Sequence, residues 1–236
     1  MIEQIKITCK KYSELVLKVI PGHFSSDRFH VNYYIDMSTL KMRQSEAKLV
    51  AKTMARNYTN KVELQTNRLT DFIGLKNLAE AGAVTTPIDT IICMDGCEVI
   101  GAYLADELTN ENIPTNNKHN SFYVITPEFD NTGQMVVRNN IKPMIKGRNE
   151  LVVLASAMSG RTITKAIGTI LAYGGKIAGL SVIFANVDEI EGYRVNGVFT
   201  HEDLPNFKLT DPNNCEDCKA GVKLDAVVNS YGYEEL

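Results

Sequence analysis

The sequence lacks the features that mark membrane, secreted and nucleic-acid-binding proteins. It contains no run of about 18 apolar residues, so we expect no transmembrane helix. Its N-terminus mixes charges with single apolar side chains and has no apolar core of a signal peptide. The formal net charge of −3 gives no reason to expect nucleic acid or a membrane surface as a partner. These absences indicate a cytoplasmic protein.

A disulfide framework is not expected either, because the five cysteines are odd in number and the chain reads as cytosolic. Cys215 and Cys218 form a CxxC pair, which supplies half of a tetrahedral zinc site. Cys93 and Cys97 would supply the other half if the tail folds back. The favoured alternative is reduced thiols, with the tail pair in a turn rich in Asn and Asp.

Histidines with metal-ligand spacing are also lacking. None of the four has the i, i+4 spacing of a metal-binding pair on a helix, and we expect surface or hydrogen-bonding side chains at His23, His30, His119 and His201. The sequence therefore assigns no residue as a metal ligand.

What the sequence does have is a composition suited to a folded core. Hydrophobic residues make up 44% of the 236 residues and charged residues 22%, as in ordinary soluble proteins. Four apolar, β-branched runs alternate with helical patterns and are apolar throughout, which is typical of parallel strands with helices on both faces. The sequence predicts a doubly wound parallel α/β sheet with strands at 88–93, 121–125, 151–155 and 177–184.

The flanking segments are predicted from weaker patterns. We expect helices over 1–20, from about Leu40, and over 71–81, a short strand at 31–36, and a mobile loop or hairpin over 127–140. The polar tail begins near Asn186. These patterns divide the chain into N-terminal helices and a hood segment (1–85), an α/β core (86–190) and a tail completing the hood or dimer contacts (191–236).

The strongest candidate ligand site is the turn between the third apolar run and its helix. Amides at a helix N-terminus are unpaired and, together with the helix dipole, attract an anion. Gly160 permits close backbone approach, and Ser159 and Thr162 add hydroxyl groups. Arg161 adds a fork suited to phosphate. With the preceding Met158, these are the predicted phosphate-binding residues; the alternative is an ordinary βα turn with a capping hydroxyl.

A second turn follows the first apolar run and contains Asp95, Gly96 and Cys97. Ligands of parallel α/β sheets bind at the carboxyl ends of the strands, so this turn is expected beside the first one. There it would hold a diphosphate or a metal ion. A plain βα connection is the alternative, and on the residues alone it is slightly favoured.

These motifs together resemble a known family. The stretch 151–184 is similar to the signature of type I phosphoribosyltransferases: an apolar strand, a small-residue loop ending in Gly and Thr, a helix, a Gly and another apolar strand. Over residues 20–222 the chain resembles orotate phosphoribosyltransferases. Its segment 26–36 is similar to their Ser-Gly-Arg…Tyr…Asp segment, and 215–221 to a Cys-Pro-Leu-Cys-x-x-Gly tail found in some members.

The resemblance implies a five-stranded parallel core with a hood and a homodimer. It implies transfer of phosphoribosyl from phosphoribosyl diphosphate to a pyrimidine or related base, with Mg²⁺ bound to the diphosphate. The 5′-phosphate would lie at the Ser159 turn and the diphosphate at the Asp95 turn. The residues of the hood segment that match the family's residues near the base are Ser26, Arg28 and Tyr34.

The resemblance also predicts charged groups that this sequence does not have. The acidic pair that holds the ribose hydroxyls falls on Leu154 and Ala155, and the lysine of the first turn falls near Gly96 or Cys97. The basic catalytic loop falls on 126–133, which contains no Lys or Arg. Basic residues that would compensate follow in the same loop region: Lys142, Lys146 and Arg148.

Three functions are compatible with this pattern. The first is a divergent orotate-like phosphoribosyltransferase, which the full-length hood and tail favour. The second is a binding module that senses phosphoribosyl diphosphate or a nucleotide without turnover, which the missing acidic pair favours. The third is a scaffold subunit that pairs with an active paralogue. No catalytic residue is assigned.

Overall fold

A computed structural model describes residues 4–58, 87–116 and 118–236 of the chain. The strands are β1 Ile5–Thr8, β2 Val16–Ser25, β3 His30–Asp36, β4 Thr90–Cys93, β5 Tyr123–Ile125, β6 Glu128–Phe129, β7 Met135–Val136, β8 Asn149–Ala157, β9 Lys176–Ala185, β10 Glu189–Ile190, β11 Tyr193–Thr200, β12 Leu209–Thr210, β13 Ala226–Val228 and β14 Tyr233–Glu235. The helices are α1 Ser38–Met42, α2 Gln44–Ala55, α3 Glu98–Asn110, α4 Lys142–Ile145, α5 Arg161–Ala172 and α6 Glu216–Lys219, with a 3₁₀ turn at Pro212–Asn214.

The main sheet has the strand order β10-β11-β9-β8-β4-β5, and all neighbours from β11 to β5 pair parallel. Counted along the chain, the parallel strands therefore lie in the order second, first, third, fourth, fifth. This is a doubly wound order, and the prediction of a parallel α/β core is confirmed. The four predicted strands are all present, as is the helix after the first of them.

Helices cover both faces of this sheet, which explains why its strands are apolar throughout. On one face, α2 and α3 pack over a cluster that includes Ile91, Leu151 and Val153. On the other face, α5 packs over a cluster that includes Val152 and Leu154. Among the described residues, no helix is long and apolar enough to cross a membrane.

The core extends beyond the boundary expected at residue 190. The fifth parallel strand, β11, pairs with β9 from Val195 to Thr200, and Phe199 is fully buried. The sequence did not predict this strand because Asn196 and Gly197 interrupt its apolar run. Gly197 is required there because Ala185 of the neighbouring strand approaches closely: a Cβ at Gly197 would lie 2.6 Å from the Ala185 Cβ.

The hood is a second sheet, built from both ends of the described chain. Strands β1, β2 and β3 form antiparallel pairs, β12 pairs with β3, and β13 pairs parallel with β2. The helix expected over 1–20 is therefore wrong. Burial alternates at Leu15, Leu17 and Val19, which is the period of a strand. Pro21, the residue just after that expected helix, lies at a register shift of β2.

The remaining predictions for the segments that flank the core sheet have different outcomes. The helix expected from Leu40 is present as α1 and α2, and the strand at 31–36 is present as β3. The segment 127–140 forms a hairpin of β6 and β7 that packs on α5, where Lys165 Nζ donates to the Thr132 carbonyl at 3.0 Å. Met135 and Val137 of this hairpin are buried. The helix expected over 71–81 lies outside the described residues.

A buried carboxyl group lies at the amino end of β8, far from the turns described above. Glu150 is fully buried, and both its carboxyl oxygens lack a hydrogen-bond partner among the described residues. Burial, with a smaller contribution from Asp89, raises the pKa of Glu150 to about 9. The carboxyl is therefore neutral in the fold at pH 7.

The pKa of Glu150 is higher in the folded state than in the unfolded state. Its contribution to stability is therefore complete below about pH 4.5 and is lost as the pH rises toward 9. We expect the free energy of unfolding of Glu150→Gln to be close to that of the parent near pH 5. At pH 8 it should be higher by roughly 2–4 kcal/mol, judged at about 1.4 kcal/mol per pH unit. Urea unfolding at both pH values measures this. Glu14→Gln, at an exposed site, is the control; a difference independent of pH would contradict the burial argument.

Candidate functional site

The candidate site lies at the carboxyl edge of the main sheet, between β4 and β8. These strands are neighbours, with Cys93 opposite Val153, but their chains continue to opposite faces: α3 follows β4 on one face and α5 follows β8 on the other. In doubly wound sheets such a switch point opens a crevice in which ligands bind. Both turns singled out in the sequence border this crevice.

The first turn, 158–160, leads directly into α5. Gly160 is the N-cap residue with φ +76°, and no side chain caps the helix. The first helical bond runs from the Thr164 amide to the Gly160 carbonyl at 2.8 Å. The amides of the first turn of α5 therefore have no side-chain cap, and Ser159, Arg161 and Thr162 beside them are exposed. This is the geometry of an anion site.

Two residues that the sequence did not single out hold this turn in place. Asn186 follows β9; its amide donates to the Ala157 carbonyl at 3.0 Å and its side chain to the Met158 carbonyl at 3.2 Å. Ile190 packs against Gly160 so closely that a Cβ at Gly160 would lie 2.9 Å from two of its carbons. A polar residue just after an apolar strand was the available signal for Asn186.

The hood contacts the same turn through Phe29. The guanidinium carbon of Arg161 lies 5.9 Å from the centre of the Phe29 ring, in a cation–π contact. Phe29 belongs to the β2–β3 turn, which Ser26 closes by donating its hydroxyl to the Phe29 carbonyl at 2.9 Å. Arg28 is exposed at the tip of this turn. The structure thus brings Ser26 and Arg28 to the side of the turn before α5.

Tyr34 occupies a different place from these two residues. Its side chain is buried in the small core of the hood, where its ring lies 5.0 Å from that of Tyr233. Burial, with smaller effects of Asp36 and Tyr233, raises the pKa of Tyr34 to about 12. Its position is that of a packing residue of the hood.

The second turn, 94–97, carries two residues in the left-handed region, Asp95 at φ +56° and Gly96 at φ +77°. Ser230 and the Ala155 amide, which belongs to β8, lie close enough to Asp95 to lower the pKa of its carboxyl group. Burial raises the pKa of Asp95, and the charge of Lys41 partly offsets this effect. Burial likewise raises the pKa of the Cys97 thiol, which leaves it protonated and a poor nucleophile.

Lys41 is the cation beside this turn, and it comes from α1, the helix that follows β3. Its ammonium group is buried and donates to the Asp95 carbonyl at 2.9 Å and to the Ser230 carbonyl at 2.7 Å. It also lies 5.9 Å from the centre of the Tyr231 ring. The sequence comparison expected a lysine inside the turn itself; the fold supplies one from 54 residues earlier in the chain.

The remaining expected groups do not reach the crevice. Leu154 and Ala155 are fully buried on opposite faces of the sheet and present no polar side chain to a ligand. Arg148 precedes β8, and Lys142 and Lys146 lie in and just after α4, at the amino end of that strand. Since β8 has nine residues, about 25 Å of strand separates them from the turn at its other end. They cannot compensate there.

The structure also brings together side chains for which the sequence predicted no contact. His23 and His30 of the hood contact Cys215 and Cys218 of the tail, whereas Cys93 and Cys97 lie in the main core. The less favoured alternative, in which the tail pair combines with Cys93 and Cys97, is therefore wrong, and all five cysteines are free thiols. Burial and the neighbouring His23 lower the pKa of His30, so its ring is neutral at pH 7.

Comparison with known proteins gives likeness of structure only. No family model and no curated protein matches the sequence. Among solved structures, the chain is similar to orotate phosphoribosyltransferase of Mycobacterium tuberculosis in complex with phosphoribosyl diphosphate, with 12% identity, a TM-score of 0.44, and coverage of 73% of this chain and 83% of that one.

Two further solved structures are similar to the chain at the same level. Adenine phosphoribosyltransferase of Rhodothermus marinus has 10% identity, a TM-score of 0.44, and coverage of 84% and 93%. Hypoxanthine phosphoribosyltransferase of Trypanosoma cruzi has 14% identity, a TM-score of 0.40, and coverage of 66% and 78%. These likenesses identify neither a substrate nor an activity for this chain.

The turn before α5 can be tested with a matched pair of glycines. Gly160 and Gly192 have nearly the same φ, +76° and +79°, but only Gly160 has a neighbour within 4 Å of an added Cβ. Both alanine variants lose about 1–2 kcal/mol of backbone stability in the left-handed region. We expect Gly160→Ala to lose more in urea unfolding, and to weaken phosphate binding, because Ile190 must move. Equal effects of the two variants would show that this contact does not shape the turn.

Proposed function

We propose that this protein binds a 5′-phosphorylated ribose, as phosphoribosyl diphosphate or a nucleotide, in the crevice between β4 and β8. The observation that supports this most is the uncapped N-terminus of α5 at the switch point, next to an exposed Arg161. Amides, helix dipole and guanidinium all favour negative charge at the same place. The ligand's ribose and base would then extend toward the hood turn that carries Phe29.

We further propose phosphoribosyl transfer, orotate-like, as the activity of this site. Lys41 supports this proposal because it places a positive charge at the diphosphate-side turn, with its Nζ 3.7 Å from the position of a Cβ on Gly96. Charge of this kind stabilises a departing diphosphate. Mg²⁺ would enter with the ligand, bound to its diphosphate oxygens. A homodimer stays a prediction, which light scattering of the purified chain tests.

A binding function without turnover is the second candidate, and a specific observation favours it. The positions for ribose-binding acids are the buried Leu154 and Ala155, so ribose hydroxyls would be held weakly and phosphate would supply most of the affinity. In addition, two carboxylates, Asp95 and Glu98, lie at the diphosphate-side turn and its helix, where they oppose a diphosphate.

One pair of measurements separates the two candidates. Calorimetry with phosphoribosyl diphosphate, with and without Mg²⁺, reports binding, and release of diphosphate in the presence of orotate or uracil reports transfer. Binding with diphosphate release supports a transferase; binding without release for any pyrimidine or related base supports the sensor. If ribose 5-phosphate binds no better than ribose, both candidates fail, because each depends on the phosphate turn.

Replacing Arg161 by Ala tests the phosphate contact directly. We expect ribose 5-phosphate binding to weaken by roughly 1.5–3 kcal/mol, about 10- to 150-fold, the value of a hydrogen bond to a charged group. Arg148→Ala, at the amino end of β8, is the matched control and should leave the affinity unchanged. Equal losses in both variants would indicate a general charge effect and remove the assignment of Arg161.

A further inference from the structure

Four side chains from distant parts of the chain converge at the edge of the hood. His23 lies in β2 and His30 begins β3, while Cys215 precedes α6 and Cys218 lies within it. One nitrogen or sulfur atom from each lies within 4.8 Å of all the others. His23, His30 and Cys215 are buried, and Cys218 is exposed on the outer side.

The separations between these atoms are those of a metal-ligand set. His23 Nε2 lies 3.1 Å from His30 Nδ1 and 3.3 Å from Cys215 Sγ. Cys218 Sγ lies 3.3 Å from His30 Nδ1 and 3.7 Å from His23 Nε2. A tetrahedral zinc ion, with bonds of about 2.05 Å to nitrogen and about 2.3 Å to sulfur, separates its ligand atoms by roughly 3.3–3.8 Å.

Hydrogen bonding on the outer side of His23 fixes which of its nitrogens is free. Its Nδ1 lies 3.2 Å from the Val222 carbonyl and 3.3 Å from the Lys223 carbonyl, and carbonyls only accept. Nδ1 therefore carries the proton, and the neutral ring turns the lone pair of Nε2 toward His30 and the two sulfurs. A backbone carbonyl that orients a histidine in this way is usual around metal-binding imidazoles.

We propose that these four residues bind one structural zinc ion, with ligands His23 Nε2, His30 Nδ1, Cys215 Sγ and Cys218 Sγ. Two thiolates and two imidazoles fill a tetrahedral shell, which leaves no position for a substrate. On binding, each cysteine releases its thiol proton to solvent, and no oxidation or reduction takes place. A two-iron cluster is disfavoured, since its ligands divide between two metal atoms and these four atoms surround a single point.

The proposed ion joins the two ends of the hood. His23 and His30 flank the β2–β3 turn, and the cysteines follow β12, which pairs with β3 through Leu209 and Thr210. After the cluster, Asp225 accepts a hydrogen bond from the His23 amide at 2.7 Å, and β13 pairs with β2. The tail then delivers Ser230 to Lys41. Zinc thus anchors the segment that completes the diphosphate-side turn.

Metal analysis of the purified full-length protein tests the proposal. We expect one zinc per chain, and Cys218→Ser and His30→Asn should each lower zinc affinity by at least about 100-fold. The control variants are Cys9→Ser, which keeps a donor to the Val198 carbonyl, and the exposed His201→Asn. Both should keep a full equivalent.

Two measurements on the unmutated protein guard against variants that fail to fold. After removal of zinc by a chelator, Co²⁺ should give the absorption of a tetrahedral cobalt–thiolate centre, and trypsin should cut at the exposed Lys219 and Lys223 until metal is restored. The proposal is overturned if the protein purified from zinc-supplemented cells holds no zinc and gives no such cobalt spectrum. It is equally overturned if Cys218→Ser binds zinc as tightly as the unmutated protein.

Discussion

The buried ammonium group of Lys41 is the point on which the arrangement of this molecule depends. It donates to the carbonyl of Asp95 after β4 and to that of Ser230 in the tail, and Lys41 itself lies in α1, which follows β3 of the hood sheet. A charge that is 2% exposed must be compensated, because leaving it unpaired costs several kcal/mol. The three segments are therefore held together at the carboxyl edge of the main sheet. That convergence lies beside the switch point between β4 and β8.

The contacts around the crevice form a connected series from one chain end to the other. Phe29 brings the hood turn against Arg161 of α5, and Asn186 and Ile190 hold the turn before that helix. The tail reaches Lys41 only after passing the His and Cys cluster and pairing β13 with β2. The tail therefore connects the His and Cys cluster at the hood edge to the turn that follows β4.

The sequence predicted the strands of the main sheet correctly, because uniformly apolar runs that alternate with helical patterns are typical of parallel strands covered by helices on both faces. It failed at β1 and β2, where Leu15, Leu17 and Val19 alternate but lie among residues that also fit a helix. It identified the two candidate ligand turns from local signals, since each turn is contiguous in the chain. Lys41 beside Asp95, and His23 and His30 beside Cys215 and Cys218, are contacts across 54 to 195 residues. No local spacing encodes them, because the pairing of strands creates them.

The central claim is that phosphate binds at the N-terminus of α5, and an NMR titration of backbone amides tests it most directly. Ribose 5-phosphate should shift the amide signals of Gly160, Arg161 and Thr162 most strongly, because an anion polarises the N–H groups to which it binds. Ribose alone should leave these signals in place. Largest shifts at another surface, or equal shifts with ribose and its phosphate, would contradict the claim.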